Sequence, residues 1–508
     1  MIKSIGLEGM KGYEIHVEAD VRNDREQCVI IGLPDTSMKE SRERILSNLY
    51  ALNFDLSLKK ITIQLSPSDQ RKNGVGYDCA MLLAVLQKLM EKPFNIDEHT
   101  CVLGGLSLQG DIVPFHGLVP AIQQALQMNL KKIIIPPIDM SFLHVDDEIE
   151  IVSVKNIQQL WDYFTGQLSF GMLHMQKIQH IREKETEKKD EDGTFIDFSM
   201  VFGLDKAKRA LVIAAAGGHH VLMTGPPGCG KSMLAEAFQT IIPPLSNEKM
   251  LETYSIYHLA KESRSFSNQP PYRAPHHSSS AISLIGGGTF PKPGEISLAH
   301  NGVLFLDELG EFSRKTLDML RQPLEKGEVT ISRVRQSVTY PAQFLLIAAT
   351  NPCPCGYAGA HDHYCSCTSK QIQQYQQKVS GPLLDRIDFY LPLKSVTMQQ
   401  HYQSESSSII QSRVAQARAR QMERIHFLNG VAPSSLFLQH CQISTETFQL
   451  VKELCFAEKW SNRTQLKVLR IARTIADLAG AITIEKEHVF EAVGWKRLAP
   501  LALEEAYA

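Results

Sequence analysis

The reading of this chain turns on one stretch, His219-His220-Val221-Leu222-Met223-Thr224-Gly225-Pro226-Pro227-Gly228-Cys229-Gly230-Lys231-Ser232-Met233. Val221, Leu222 and Met223 form a short apolar run of buried-strand type, and the pattern from Met233 through Leu234 and Ala235 is helical. Between them, residues 225–232 fit G-x-x-x-x-G-K-[ST] without a mismatch. The three glycines let the backbone curl so that successive N–H groups face an anion. Lys231 is expected to reach the β- and γ-phosphates, and the Ser232 hydroxyl to ligate magnesium. The new helix points its positive end at the phosphates. A Gly/Pro-rich turn can match such a pattern by accident, but here a strand precedes it, a helix follows, and an acidic strand lies downstream. The stretch implies a nucleoside-triphosphate site made by Gly225, Pro226, Pro227, Gly228, Cys229, Gly230, Lys231, Ser232 and Met233.

The acidic strand is Gly302-Val303-Leu304-Phe305-Leu306-Asp307-Glu308, four apolar residues that deliver two carboxylates at their exit. Asp307 is expected to hold magnesium, largely through water, and Glu308 to polarise the attacking water. Phe344 to Asn351 reads as a third buried strand, ending in an amide able to orient the same water. Arg386, in Leu383-Leu384-Asp385-Arg386-Ile387-Asp388, stands just before another strand; the bland role for it is a salt bridge to Asp385 or Asp388.

The whole chain, 508 residues with 43% hydrophobic and 21% charged content, has the composition of a soluble globular protein of two to four domains. No apolar run approaches the roughly 20 residues needed to span a bilayer. The N-terminal residues lack a signal-peptide core, so a cytoplasmic address is expected. The ten cysteines are then expected to be reduced rather than paired. A formal net charge of −2 means that any nucleic-acid surface must be local.

The order of phosphate loop, Asp-Glu strand, Thr350-Asn351 strand and Leu-Leu-Asp-Arg-Ile-Asp resembles the AAA+ ATPases, and within them the magnesium-chelatase-type branch. Arg273-Ala-Pro-His-His277, residues 293–309 and Asn351-Pro-Cys-Pro-Cys-Gly356 are similar to the ComM/YifB family, and this resemblance covers essentially the whole chain. It implies a ring-forming ATPase, usually a hexamer, which in ComM proteins is a DNA helicase that drives branch migration during natural transformation. It further implies that Asn351 is a first sensor and Arg386 an arginine finger that reaches the γ-phosphate of the neighbouring subunit. Arg463 is implied as a second sensor that contacts the nucleotide from the lid, with Arg470 as the alternative. Asn462 stands where the family more often has a small residue.

Residues 1–177 read as a mixed α/β domain, with strand patterns at 12–19, 60–65 and 131–135 and helical patterns at 36–52 and 78–90. Residues 73–80 and 105–136 resemble the proteolytic domain of Lon-type proteases. Gly76 and Val119 stand at the positions that match the family's Ser nucleophile and Lys base, and neither can serve. The expectation is a Lon-like fold without the peptidase, with Ser66 and Cys79 as stray nucleophiles that are more often core or cap residues. Residues 178–194, densely and mixedly charged, read as a solvated linker. The expected architecture is therefore α/β: a Lon-protease-like α+β domain, the linker, a P-loop AAA+ module over 195–394 with a parallel sheet and flanking helices, and a helical lid over 395–508. Residues 270–294, with a basic-aromatic start, two histidines and a triple glycine, read either as a linker or as a pore-facing or partner-facing insertion in the ATPase core.

Two further features carry chemistry. Cys353-x-Cys355 and Cys365-x-Cys367, separated by nine loop-like residues, can close a tetrahedral zinc site, with His361 or His363 as substitutes; the alternative is four reduced thiols that cap a loop. Residues 325–340 alternate Val, Thr and Ile as a β-hairpin does, with Arg333, Val334 and Arg335 near its tip. In helicases related to this clade such a hairpin projects into the ring pore, where two arginines would meet DNA phosphates; otherwise it is an edge hairpin kept soluble by its charges. The chain thus reads as an ATP- and magnesium-dependent hexameric motor on single-stranded or branched DNA, with no membrane partner. The competing readings are a chelatase-like remodelling ATPase that acts on a protein partner, and, against Gly76 and Val119, an ATP-dependent protease.

Overall fold

The computed structural model describes residues 1–32, 37–68, 70, 72, 74–90, 94, 96–128, 130–138, 149–166, 196–288, 291–333, 336–360, 363–394 and 404–496. The chain forms two compact units, Met1–Glu187 with Met250–Phe266, and Lys188–Lys249 with Ser267–Ala508. The charged run 178–194 lies outside the described residues.

The first unit is built on a seven-stranded mixed sheet. In sheet order its strands are Gln27–Ile31, Lys59–Ser66, Lys11–Asn23, Ile2–Glu8, Thr100–Val102, Lys132–Ile135 and Glu150–Ser153. The long strand Lys11–Asn23 pairs antiparallel on both sides, and the strands beyond Ile2–Glu8 run parallel. Alternation along Ile2–Glu8 sends Ile2 to one face and Ile5 to the other, and each face is covered. The helix Asp78–Leu89, buried from Asp78 to Leu86, fills the first core; Leu118–Gln127 fills the second through Leu118, Ala121, Ile122 and Ala125. A segment expected inside the ATPase core joins this second core. Leu251, Tyr254 and Phe266 pack on it, Ser255 donates to Gln123 Oε1 at 2.8 Å, and the Gly117 N–H donates to His258 Nδ1 at 2.9 Å. Met250–Phe266, which lies in sequence between two stretches of the second unit, thus packs with the first, where Leu251, Tyr254 and Phe266 find apolar cover.

The second unit is a five-stranded parallel sheet in the order Tyr272–Arg273, Val303–Leu306, Leu345–Thr350, Val221–Thr224 and Phe389–Pro392. Every residue from Val303 to Leu306 is buried, as expected of a strand covered on both faces. All five strands leave the sheet at one edge, and that edge carries the phosphate loop, Asp307, Glu308 and Asn351.

The helices Ser407–Ile425 and Asn462–Ala479 of the lid pack on the Ala-rich helix Asp205–Gly217, so lid and sheet share one core. Ser461 caps Asn462–Ala479 by accepting from the Thr464 N–H. The lid is pinned by buried charge. Arg424 grips Asp477 through two bonds of 2.8 Å, and the fully buried Arg473 stands 3.1 Å from the same carboxylate. No helix among the described residues is long and apolar enough to cross a membrane.

Candidate nucleotide site

The phosphate loop has the backbone that its glycines imply: φ is 76° at Gly228 and 90° at Gly230, the left-handed region that a side chain would resist. Gly230 is the N-cap of Lys231–Thr240, which aims its free N–H groups into the loop. Lys231 is buried, and its ammonium donates to Gly225 O at 2.7 Å, Pro226 O at 2.9 Å and Asn351 Oδ1 at 3.1 Å. A buried ammonium held by neutral oxygens and, at 3.9 Å, the Cys229 sulfur is matched to an incoming anion. Ser232 Oγ donates to Asp307 Oδ2 at 3.0 Å, so the hydroxyl and carboxylate expected on magnesium already converge. Hard oxygen donors of this kind fit magnesium. Met233, on the first turn, is partly exposed.

Glu308 leaves its strand with φ 50°, and its N–H donates to Asp307 Oδ1 at 2.8 Å. Its carboxylate meets a partner that the sequence did not announce. His277 Nδ1 lies 2.9 Å from Glu308 Oε2, both side chains being partly exposed. The signal was present as the two histidines that end the quoted Arg273-Ala-Pro-His-His motif, but their target is fixed only by the pairing of Tyr272–Arg273 with Val303–Leu304.

Arg386 lies at the opposite edge. It precedes Phe389–Pro392, which runs parallel to Val221–Thr224, so it stands where strands enter and the phosphate loop where they leave. The four residues of that strand alone span roughly 13 Å. Arg386 forms no salt bridge with Asp385 or Asp388 in the described structure; its guanidinium pairs with Glu325 and donates to Pro382 O at 2.7 Å. Arg463 sits 2.5 Å from Asp385 Oδ2, beside Arg386. The start of Asn462–Ala479, which carries Arg463, therefore lies at the entry edge of the sheet. Arg470 is committed to the lid, donating to Asn429 O at 3.2 Å and Ala432 O at 2.6 Å.

The entry edge holds an unusual buried set. The His220 N–H donates to Asp388 Oδ2 at 3.1 Å, and His220 Nδ1 accepts from the Leu346 N–H at 3.1 Å. Burial pushes His220 down to about 4, so it stays neutral. Burial alone would raise Asp388, but His219, Lys467 and His220 together hold it below the ordinary carboxylate range.

The four cysteines converge. Their sulfurs all lie within 4.8 Å of one another, with Cys353–Cys355 at 3.3 Å, Cys353–Cys365 at 3.7 Å and Cys355–Cys365 at 3.5 Å. A tetrahedral zinc with bonds of about 2.3 Å sets its sulfurs about 3.8 Å apart, close to this spacing. The Tyr357 backbone N–H and the other thiols draw Cys355 down to about 6. Cys365, although the Cys367 backbone N–H lowers it, is raised to about 12 as burial, Cys355 and Cys353 disfavour a further thiolate. The His363 ring lies tilted against that of Tyr357 at 4.7 Å, and His361 lies outside the described residues. The knuckle abuts the phosphate loop: a Cβ on Gly356 would come within 2.8 Å of Pro227 Cδ.

The hairpin pairs Glu328–Arg333 with Gln336–Pro341 in antiparallel register, and Arg333 opposite Gln336 is its last pair. Val329, Ile331, Val338 and Tyr340 are buried, while Thr330–Thr339 and Ser332–Ser337 pair on the other face. Val334 and Arg335 lie outside the described residues.

In the first unit, a Cβ at Gly76 would come within 2.7 Å of the Phe115 ring, so a side chain at the nucleophile position would have to displace that ring. Val119 is buried on the Leu118–Gln127 helix. Cys79 is fully buried, which raises its thiol well above the usual range, and its Sγ faces Gly105 O at 3.7 Å. Ser66 ends a sheet strand.

Comparison with known families agrees along the chain. Three family models match: "Subunit ChlI of Mg-chelatase" over residues 17–139, "Magnesium chelatase, subunit ChlI" over 197–401, and "Magnesium chelatase, subunit ChlI C-terminal" over 404–496. The uncharacterized protein YifB of Escherichia coli is 36% identical over 504 residues, 96% of this chain and 95% of that protein. The competence protein ComM of Haemophilus influenzae is 35% identical over 508 residues, 97% of this chain and 96% of that protein. An archaeal Lon protease of Methanocaldococcus jannaschii is 30% identical over 108 residues, 21% of this chain and 16% of that protein.

Proposed function

The chain belongs to the ComM/YifB family, with its magnesium-chelatase-type AAA+ module and Lon-like N-terminal domain; on that premise we propose that it is an ATP-driven, ring-forming DNA motor. The observation that carries the reading is the separation of Arg386 from the phosphate loop across the sheet. A guanidinium at the entry edge stands away from the phosphate loop of its own chain, which supports a role for it in a neighbour's site. A closed ring, a hexamer in this reading, supplies such a neighbour to every subunit.

In the proposed reaction Lys231 leaves its carbonyl partners for the β- and γ-phosphate oxygens, and Asn351, its present partner, orients the attacking water. Glu308 accepts the proton of that water. Ser232 and Asp307 would hold magnesium, which neutralises developing phosphate charge. Arg386, with Arg463 beside it, approaches from the adjacent subunit. A charge supplied in this way contributes on the order of 10³ or more in rate.

The DNA reading is supported by the family's competence protein, by the hairpin of Glu328–Arg333 and Gln336–Pro341, and by the arginines at positions 333 and 335 of the sequence, whose charges suit phosphates in a pore. The proposed task is helicase-driven branch migration in recombination of incoming DNA, in the cytoplasm. The test is strand displacement on a labelled three-strand junction, alongside turnover with and without forked DNA. ATP-dependent displacement is expected. Turnover without displacement or DNA stimulation would favour the second reading, a remodelling ATPase on a protein partner, which the chelatase-type domains also support. The four cysteines are proposed to hold structural zinc, expected at one equivalent per chain in purified protein by atomic emission. Content far below that refutes the zinc assignment and leaves the motor reading intact.

A further inference from the structure

We propose that His277 is the positioning residue of the general base, holding one oxygen of the Glu308 carboxylate so that the other faces the attacking water. The inference rests on the ATPase reading and names the residue of this chain that takes the role.

Glu308 needs such a partner. Its carboxylate is half-exposed at the tip of a strand, where a glutamate side chain is free to sample several rotamers. The backbone is already constrained, with φ in the left-handed region and the N–H tied to Asp307, but neither constraint reaches the carboxylate. His277 Nδ1 at 2.9 Å from Oε2 does. Since a carboxylate accepts, the histidine is assigned the tautomer with a proton on Nδ1.

His277 is itself well placed to do this. The strand Tyr272–Arg273 runs parallel to Val303–Leu304, so the two segments leave the sheet side by side at the nucleotide edge. The Tyr272 ring stacks on Phe305 at 6.2 Å, and Arg273 clamps Glu295 through two bonds of 2.7 Å. Beyond this root the chain turns back, the Ser279 N–H donating to His276 O at 2.9 Å, and the His276 ring lies 4.0 Å from that of His277. His277 transfers no proton in this scheme. The water proton goes to Glu308, the water oxygen bonds to the γ-phosphorus, and the bond to the β–γ bridging oxygen breaks. His277 fixes the geometry in which that happens.

The test compares four full-length variants, His277→Ala, His277→Asn, Glu308→Gln and the double His277→Ala/Glu308→Gln, by steady-state MgATP turnover and by binding of a fluorescent ATP analogue. His277→Ala is expected to lower kcat by about tenfold or more while KM and analogue affinity stay within about twofold. His277→Asn, whose amide nitrogen falls near the Nδ1 position, is expected to retain most of the rate. In the Glu308→Gln background, loss of His277 is expected to cost nothing further, because the group through which it acts is gone. A kcat unchanged or raised in His277→Ala overturns the inference. So does an equal loss in the Asn variant, a loss of analogue binding, or an undiminished further loss in the double variant. A wild type that binds the analogue but shows no turnover, with or without forked DNA, overturns the ATPase reading itself and the inference with it.

Discussion

The two ends of the five-stranded sheet in the second unit make opposite use of charge. At the exit edge, Lys231 is buried against neutral oxygens of Gly225, Pro226 and Asn351, and Ser232 reaches Asp307, so this half already has the groups to grip a triphosphate. At the entry edge, Arg386 and Arg463 are occupied by Glu325 and Asp385, acidic partners that a phosphate would have to displace. One end has a cationic socket, and the other has cations held in reserve. The difference fits a hydrolytic site divided between subunits, in which binding is local and chemistry needs a neighbour.

The largest expected effect breaks the exit edge. Lys231→Ala removes the only ammonium in the loop and should reduce turnover to background in an ATPase assay. Arg386→Ala should leave nucleotide binding in place and lower kcat by about 10³. If the site is shared, mixing Arg386→Ala with Lys231→Ala subunits should restore part of the turnover, since some interfaces then pair an intact loop with an intact finger. No recovery in mixed rings, with exchange demonstrated, would place both residues in one chain's site. Next in size is the hairpin: Arg333→Ala with Arg335→Ala should bring the ratio of DNA-stimulated to DNA-free turnover close to one, and an unchanged ratio would reject the DNA reading of the hairpin.

The smallest effect concerns stability rather than turnover. His220, at the entry edge, titrates at about 4 when folded and near its ordinary 6.5 when unfolded. The unfolded chain therefore binds the extra proton between these values, and stability should fall as pH drops from 6.5 towards 4, by up to about 3 kcal/mol. Denaturant melts across this window should show the slope. His220→Asn, which keeps an acceptor near Nδ1, should flatten it; an identical slope in the variant would assign the proton elsewhere.

Much of the exit edge was legible in the sequence. Residues 225–232, the run into Asp307 and Glu308, and the strand that ends at Asn351 are each read from one contiguous segment, because turn glycines, apolar runs and strand exits are local chemistry. The four cysteines were legible as a cluster for the same reason, since a loop of nine residues brings the pairs within reach of one another. The Lon-like unit was legible as a fold whose peptidase residues are absent.

The tertiary structure decided what local chemistry could not. Met250–Phe266 lies in sequence amid the ATPase core, yet it completes the core of the other unit, where its apolar side chains find cover. Phe115 lies against Gly76, a contact between two loops that no spacing rule relates. Arg463 lies at the entry edge because the lid helix packs in that direction. His277 meets Glu308 only because the Tyr272–Arg273 strand pairs beside Val303–Leu306. The sequence by itself determined which groups could bind and hydrolyse a nucleotide, since those groups are set by short-range backbone geometry. Parallel strand pairing and helix packing, which join distant segments by burying their apolar faces, determined which of these groups meet within one chain and which stand apart.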